Sequence, residues 1–146
     1  MANDEWRTPE WVWKPYAPFD LDAAATAENA LAPKFITKEM DALTLDWREI
    51  CPAPARVWCN PPYSQAAGPL FEWITVCQGW SRFYRVVMLL PADTSTKWFH
   101  YLLQEKNMGT NVNIKFLERR VRHLDPLTGK PGGSPKFGSI IVEFLP

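Results

Sequence analysis

Apolar and polar positions along this chain follow two rhythms, and the rhythms assign its elements. Phe19-Asp20-Leu21-Asp22 alternates with period two, as a half-buried strand does, and runs into the alanine-rich stretch Ala23-Ala24-Ala25-Thr26-Ala27-Glu28-Asn29-Ala30, whose composition favours helix. Residues 19–31 are therefore expected to form a strand running into a helix. Lys34-Phe35-Ile36-Thr37 reads as a second short strand and Arg56-Val57-Trp58-Cys59 as a third, ended by the rigid pair Pro61-Pro62. After Pro69, which suits a first helical turn, Leu70, Trp73, Ile74 and Cys77 recur at helical spacing, with Gly79 as the expected stop. Val86-Val87-Met88-Leu89-Leu90 is a continuous apolar run bounded by Pro91, the pattern of a strand buried on both faces of a parallel sheet. Thr94-Ser95-Thr96 offers N-caps to a helix carrying Trp98, Phe99, Leu102 and Leu103 on one face. Val112 to Leu117 and Ser139 to Phe144 are strand candidates, and the proline- and glycine-rich Asp125 to Pro135 between them reads as a loop. Near the N-terminus, Thr8-Pro9-Glu10 reads as a helix start with Thr8 as cap and Pro9 as first residue, kept short by Pro15 and Pro18.

Strands alternating with helices imply an α/β fold with a mostly parallel sheet covered by helices on both faces. Ligands bind such sheets beyond the carboxyl ends of the strands, where Asp22 and Asn60 are both expected to emerge. With 146 residues, 47% of them hydrophobic, the chain is expected to form a single domain around one core. It holds no apolar run of membrane-spanning length, and the polar opening lacks the basic and apolar regions of a secretory signal, so the expected location is cytoplasmic. Cys51, Cys59 and Cys77 are odd in number and widely spaced, which points to structural thiols rather than a disulfide framework or zinc site. His100 and His123 lack companion ligands at zinc spacing, so no metal is expected at either.

Charge adds an asymmetry that composition hides. The formal net charge is zero, yet residues 1–60 hold six basic and ten acidic side chains, and residues 112–146 hold six basic and three acidic. The basic cluster Lys115, Arg119, Arg120 and Arg122 is the best candidate surface for a polyanion. A solvated face reads the same way, so the cluster alone does not identify a partner.

The chemistry-bearing element is Asn60-Pro61-Pro62-Tyr63, placed where a strand ends. Taken bare, it is a proline-stiffened turn. It also resembles the catalytic loop of methyltransferases that act on planar amino groups. Together with Asp4-Glu5-Trp6-Arg7-Thr8-Pro9, Phe19-Asp20-Leu21-Asp22-Ala23-Ala24-Ala25, Val87-Met88-Leu89-Leu90-Pro91-Ala92 and Lys97-Trp98-Phe99-His100, it resembles, in order over nearly the whole chain, the small phage-type DNA N6-adenine methyltransferases.

That resemblance implies an abbreviated Rossmann-like class I fold, S-adenosylmethionine as cofactor, double-stranded DNA as partner and, for a phage-encoded enzyme, the bacterial host cytoplasm as location. It implies a catalytic loop of Asn60, Pro61, Pro62 and Tyr63, in which the Asn60 side-chain oxygen and the Pro61 carbonyl accept hydrogen bonds from the target amine and Tyr63 stacks on an extruded base. Trp6, Thr8, Pro9, Asp22, Ala23, Ala24, Asp41 and Asn60 would line the cofactor site, and Glu39 is a candidate for its ribose. Residues 22–25 would replace the usual Gly-x-Gly turn, a helix N-terminus offering backbone amides to the methionine carboxylate. Ser64 joins Lys115, Arg119, Arg120 and Arg122 as an expected DNA contact, and base readout falls to the 125–135 loop or a second subunit. Methylation of cytosine N4, of RNA adenine or of protein glutamine, and a non-catalytic nucleic-acid-binding module, stay open as alternatives.

Overall fold

A computed structural model of the chain describes residues 6–63 and 69–146. Six strands, β1 (Leu21–Asp22), β2 (Lys34–Phe35), β3 (Ala55–Cys59), β4 (Tyr84–Pro91), β5 (Val112–Phe116) and β6 (Ser139–Phe144), form one sheet in the order β2-β1-β3-β4-β6-β5. The β1–β2, β1–β3 and β3–β4 pairs are parallel, whereas β6 runs antiparallel to both β4 and β5. The chain moves outward from β1 to β2, returns past β1 to β3, and continues in the other direction to β4. The order therefore reverses between β1 and β3, and the crevice beyond the carboxyl ends of these two strands is the topological switch point where α/β sheets bind ligands.

Period-two alternation divides the core between the two faces of the sheet. Val57, Cys59, Tyr84, Val86, Met88, Leu90, Ile140, Val142 and Phe144 point to one face, where α2 (Leu70–Trp80) and α3 (Lys97–Asn107) cover them through Trp73, Ile74, Cys77, Phe99 and Leu102. Trp58, Val87, Leu89 and Ile141 point to the other, beneath Val12, Phe19 and Val121. Helical cover is thus unequal: among the described residues, the second face carries only α1 (Glu10–Trp13), a following 3-10 turn (Lys14–Tyr16) and irregular chain. Cys51, Cys59 and Cys77 are all buried, and burial pushes the Cys59 thiol pKa up.

Three local expectations change. Residues 23–30 form turns rather than a helix, because side chains capture the amides that a helix would need. The Asp22 carboxylate accepts from Ala24 N (3.2 Å) and Leu31 N (3.1 Å), and Thr26 and Asn29 exchange side-chain-to-backbone bonds at 2.7 and 3.3 Å. Thr8 does not cap α1. Pro9, extended at φ −65° and ψ 148°, holds the cap position without a side-chain bond. Finally, α2 runs through Gly79 to Trp80 and is capped at Ser81. The cap expected from Thr94-Ser95-Thr96 forms at Thr96, whose hydroxyl accepts from Phe99 N at 3.3 Å.

Candidate active site

Asn60 is the first residue beyond β3, and Asp22 is the last of β1, aligned with Trp58 across the strand pair. Both therefore stand at the switch point. The Asn60 amide is held from two distant parts of the chain. Its Nδ2 donates to Thr8 Oγ1 at 3.3 Å and lies 3.4 Å from His123 Nε2. On the opposite side, Asn60 Oδ1 accepts from the Tyr63 hydroxyl at 3.2 Å, a hydroxyl also 3.1 Å from the Leu89 carbonyl oxygen. An amide oxygen has two lone pairs, so Oδ1 keeps acceptor capacity after the Tyr63 contact. Pro61 is buried, and the adjoining prolines limit how far the loop can rotate.

Tyr63 combines two environments. The residue is 44% exposed, while its hydroxyl faces inward onto Asn60 and Leu89. Burial, and then the neighbouring Cys59, push the phenol pKa well above its usual value, which keeps the hydroxyl protonated as a donor.

The Thr8 and His123 segments are joined to each other before they meet Asn60. Arg7 N donates to Leu124 O at 3.0 Å and Leu124 N to Arg7 O at 2.7 Å, a two-bond antiparallel bridge. Gly132 N donates to His123 O at 2.9 Å, closing the 123–132 loop back on itself. Trp6 lies on that loop so closely that a Cβ at Gly132 would stand 2.3 Å from its Cζ3, so Gly132 has no room for a side chain. Trp13 Nε1 donates to Thr8 O at 3.1 Å and ties the Thr8 segment to α1. The Trp6 Nε1 is buried and, among the described residues, has no hydrogen-bond partner.

Asp22 is nearly fully buried, and burial raises its carboxyl pKa from 3.8 to about 7 against the lowering effect of the Leu31 and Ala24 amides. Between those values the folded chain holds a proton that the unfolded chain has released. The Asp22 contribution to stability is therefore complete below pH 3.8, falls as the pH rises through the window, and levels off above pH about 7. Its steepest slope is about 1.4 kcal/mol per pH unit. Urea unfolding of the wild type and Asp22→Asn across that window should show wild-type stability falling relative to the variant. A constant difference would mean that the carboxyl is not raised.

The other expected site residues fall less closely together. The Ala23, Ala24 and Ala25 amides are engaged by Trp58 O, Asp22 Oδ1 and Ile36 O, so the amide cradle expected at a helix N-terminus does not form. Asp41 follows β2 in a left-handed turn at φ 60°, its carboxylate accepting from Leu43 N and the Thr44 hydroxyl at 3.1 and 3.2 Å. Glu39 is exposed in the same loop. Lys115 is exposed on the edge strand β5, and Ser64 lies outside the described residues. Arg119 stands 4.2 Å from the Trp11 ring, Arg120 Nη1 donates to Pro135 O at 2.6 Å, and Arg122 Nε donates to Gly132 O at 2.8 Å. All three arginines are exposed on the segment leading from β5 to His123. A depression of about 310 Å³ lined by Gln78, Gly109, Thr110 and Leu145 sits at the amino-terminal ends of the parallel strands, away from Asn60.

His123 is the residue that sequence reasoning missed. No spacing or motif brings it to Asn60, 63 positions away in sequence; the Arg7–Leu124 bridge does.

Fold and site together define an α/β protein with a rigid Asn-Pro-Pro-Tyr loop at the switch point of its sheet. The family model of the DNA N-6-adenine-methyltransferases (Dam) matches residues 1–144, and the chain belongs to this family. It is 36% identical over 140 residues to a DNA N-6-adenine-methyltransferase of Haemophilus phage HP1, covering 88% of this chain and 75% of the relative. A DNA N-6-adenine-methyltransferase of Escherichia phage T1 is 36% identical over 102 residues, covering 67% of this chain and 40% of the relative. A putative methyltransferase of Escherichia coli K12, YfdM, is 34% identical over 67 residues, 42% of this chain and 74% of the relative. No solved structure gives a significant match.

Proposed function

We propose that this chain transfers a methyl group from S-adenosylmethionine to the N6 amine of adenine in double-stranded DNA, with the base turned out of the helix onto the Asn60–Tyr63 loop. The observation that carries this reading is the fixed Asn60 amide at the switch point. Its nitrogen is committed to Thr8 and faces His123, so its oxygen is left as the acceptor.

The lone pair of adenine N6 is delocalised into the ring, and the amine gains nucleophilicity as it becomes tetrahedral. Asn60 Oδ1 and the Pro61 carbonyl accept its hydrogens as positive charge develops, which favours the transition state over the planar ground state. Held acceptors need little reorganisation when the reaction occurs. Tyr63 offers its exposed ring as a stacking surface while its hydroxyl keeps Asn60 in register.

When bound, S-adenosylmethionine supplies an electrophilic methyl group on a sulfonium centre. The residues assigned to hold it are Trp6, Thr8, Pro9, Asp22, Ala23, Ala24, Asp41 and Asn60. Two features fit such a group: the buried Trp6 Nε1, without a partner among the described residues, can donate, and the buried Asp22 carboxyl gains a reason to ionise beside a cationic ligand. In this reading the sheet is an abbreviated class I methyltransferase fold and residues 1–146 form one methyltransferase domain. The bacterial cytoplasm, where the duplex lies, is its place of action.

Arg119, Arg120 and Arg122, with Lys115 and Ser64, are assigned to the DNA phosphates. Replacing the three arginines by Ala should weaken binding to every sequence and flatten the logarithmic salt dependence by about 0.9 for each phosphate no longer neutralised. An unchanged slope would place the duplex on another surface. The central test compares transfer of a tritiated methyl group to DNA, RNA and protein acceptors, with GATC duplexes first. Label appearing in 6-methyladenine of DNA supports the reading; label confined to another acceptor, or no cofactor binding by calorimetry, overturns it.

A further inference from the structure

We infer that His123 is a positioning residue that sets which end of the Asn60 amide faces the substrate, by accepting a hydrogen bond from Asn60 Nδ2 through a neutral ring. This rests on the methyl-transfer reading of the same site, and deepens it.

The two ends of a carboxamide differ in what they bond, so its partners decide its orientation. Here Nδ2 stands 3.3 Å from Thr8 Oγ1 and 3.4 Å from His123 Nε2, while Oδ1 stands 3.2 Å from the Tyr63 hydroxyl. The Thr8 and Tyr63 hydroxyls can each donate or accept, and so tolerate either orientation. His123 is different. A neutral imidazole with its proton on Nδ1 presents only a lone pair at Nε2, which requires the amide nitrogen opposite it. An imidazolium presents an N–H there and requires the oxygen instead. Protonation of His123 would therefore reverse the amide, turn Nδ2 toward the target amine and replace its acceptor with a donor.

The surroundings favour the neutral ring. His123 is partly buried on a segment tied to Arg7 and Gly132, and that burial lowers its pKa below the usual 6.5. Charged and titratable groups on the packed segments are turned elsewhere. Arg122 donates to Gly132 O, Asp125 accepts from Leu127 N and Thr128 N, and the Tyr63 hydroxyl shares its one proton between Asn60 Oδ1 and Leu89 O. Arg7 and Lys130 are exposed. The network thus has two self-consistent states separated by one proton, and the reactive one is populated near neutral pH.

The experiment measures turnover against pH for the wild type, His123→Leu and His123→Gln, with cofactor affinity and thermal unfolding recorded for each. The wild type should lose turnover on an acid limb below pH about 6.5. His123→Leu should fall about tenfold at neutral pH with little change in cofactor affinity, the expected size for one lost positioning bond. His123→Gln supplies an amide oxygen that can accept from Asn60; it should recover most of that loss and lack the acid limb. Equal turnover and identical pH profiles in all three proteins would overturn the inference. A second measurement does not depend on activity or on the variants folding: in the wild type, the Asn60 side-chain amide resonances should shift with the titration of the His123 ring. Amide resonances that ignore that titration would also overturn it. If the wild type methylates no acceptor, the functional reading fails, and the resonance titration still decides the role of His123.

Discussion

Asn60→Ala is expected to lower turnover about a hundredfold or more while leaving cofactor affinity largely intact, comparable to removing one preorganised group from an oxyanion hole. The reasoning starts from which interaction changes along the reaction. An acceptor aimed at the amine gains strength as N6 acquires positive charge, so its removal acts on the transition state more than on the ground state. The structure adds a cost to stability. Truncation leaves Thr8 Oγ1 and His123 Nε2 without their shared partner in a partly buried place, a loss of roughly 1–3 kcal/mol for an unsatisfied group. A melting curve therefore belongs beside the kinetics, so that the two losses are counted separately. Methylation of duplex DNA by folded Asn60→Ala at the wild-type rate would remove the central support for the proposed chemistry.

The elements that read well from sequence are those decided by their own residues. The apolar run at Val86–Leu90 has no alternative but burial, and it forms the middle of β4 with neighbours on both faces. Thr96 caps α3 because the cap needs only a hydroxyl and a free amide within one turn. Residues 23–30 misled because alanine propensity is worth only tenths of a kcal/mol per residue, whereas Asp22 captures two amides across nine residues. Nothing in the local pattern announces that capture. Thr8 was legible as a hydroxyl beside a proline but not in its role, because the partner that takes it from the helix, Asn60, is 52 residues distant. The Asn60–Tyr63 loop was legible as a motif because its residues are contiguous, and the approach of His123 to Asn60 was not because a tertiary bridge supplies its position.

Tyr63 separates two contributions that the bare motif merges. From sequence, the ring face alone is expected to matter, with the phenylalanine variant keeping most activity. The inward hydroxyl changes that expectation: its single proton lies between Asn60 Oδ1 and Leu89 O, and so links the Asn60 amide to β4. Tyr63→Phe keeps the stacking surface and loses this link, which should cost about twofold to tenfold in turnover, the range for one net hydrogen bond. Tyr63→Ala loses the link and the surface together, adding roughly 1–3 kcal/mol of lost base stacking and with it the hold on the extruded adenine. The second loss should appear in the use of duplex substrate, and fluorescence of 2-aminopurine at the target position should report a less populated extruded base. Tyr63→Phe should leave that extrusion signal near the wild-type level, since its ring is unchanged. Were folded Tyr63→Phe as inactive as Tyr63→Ala, the hydroxyl would carry the function and the stacking role would be lost; were Tyr63→Ala as active as the wild type, neither role would stand.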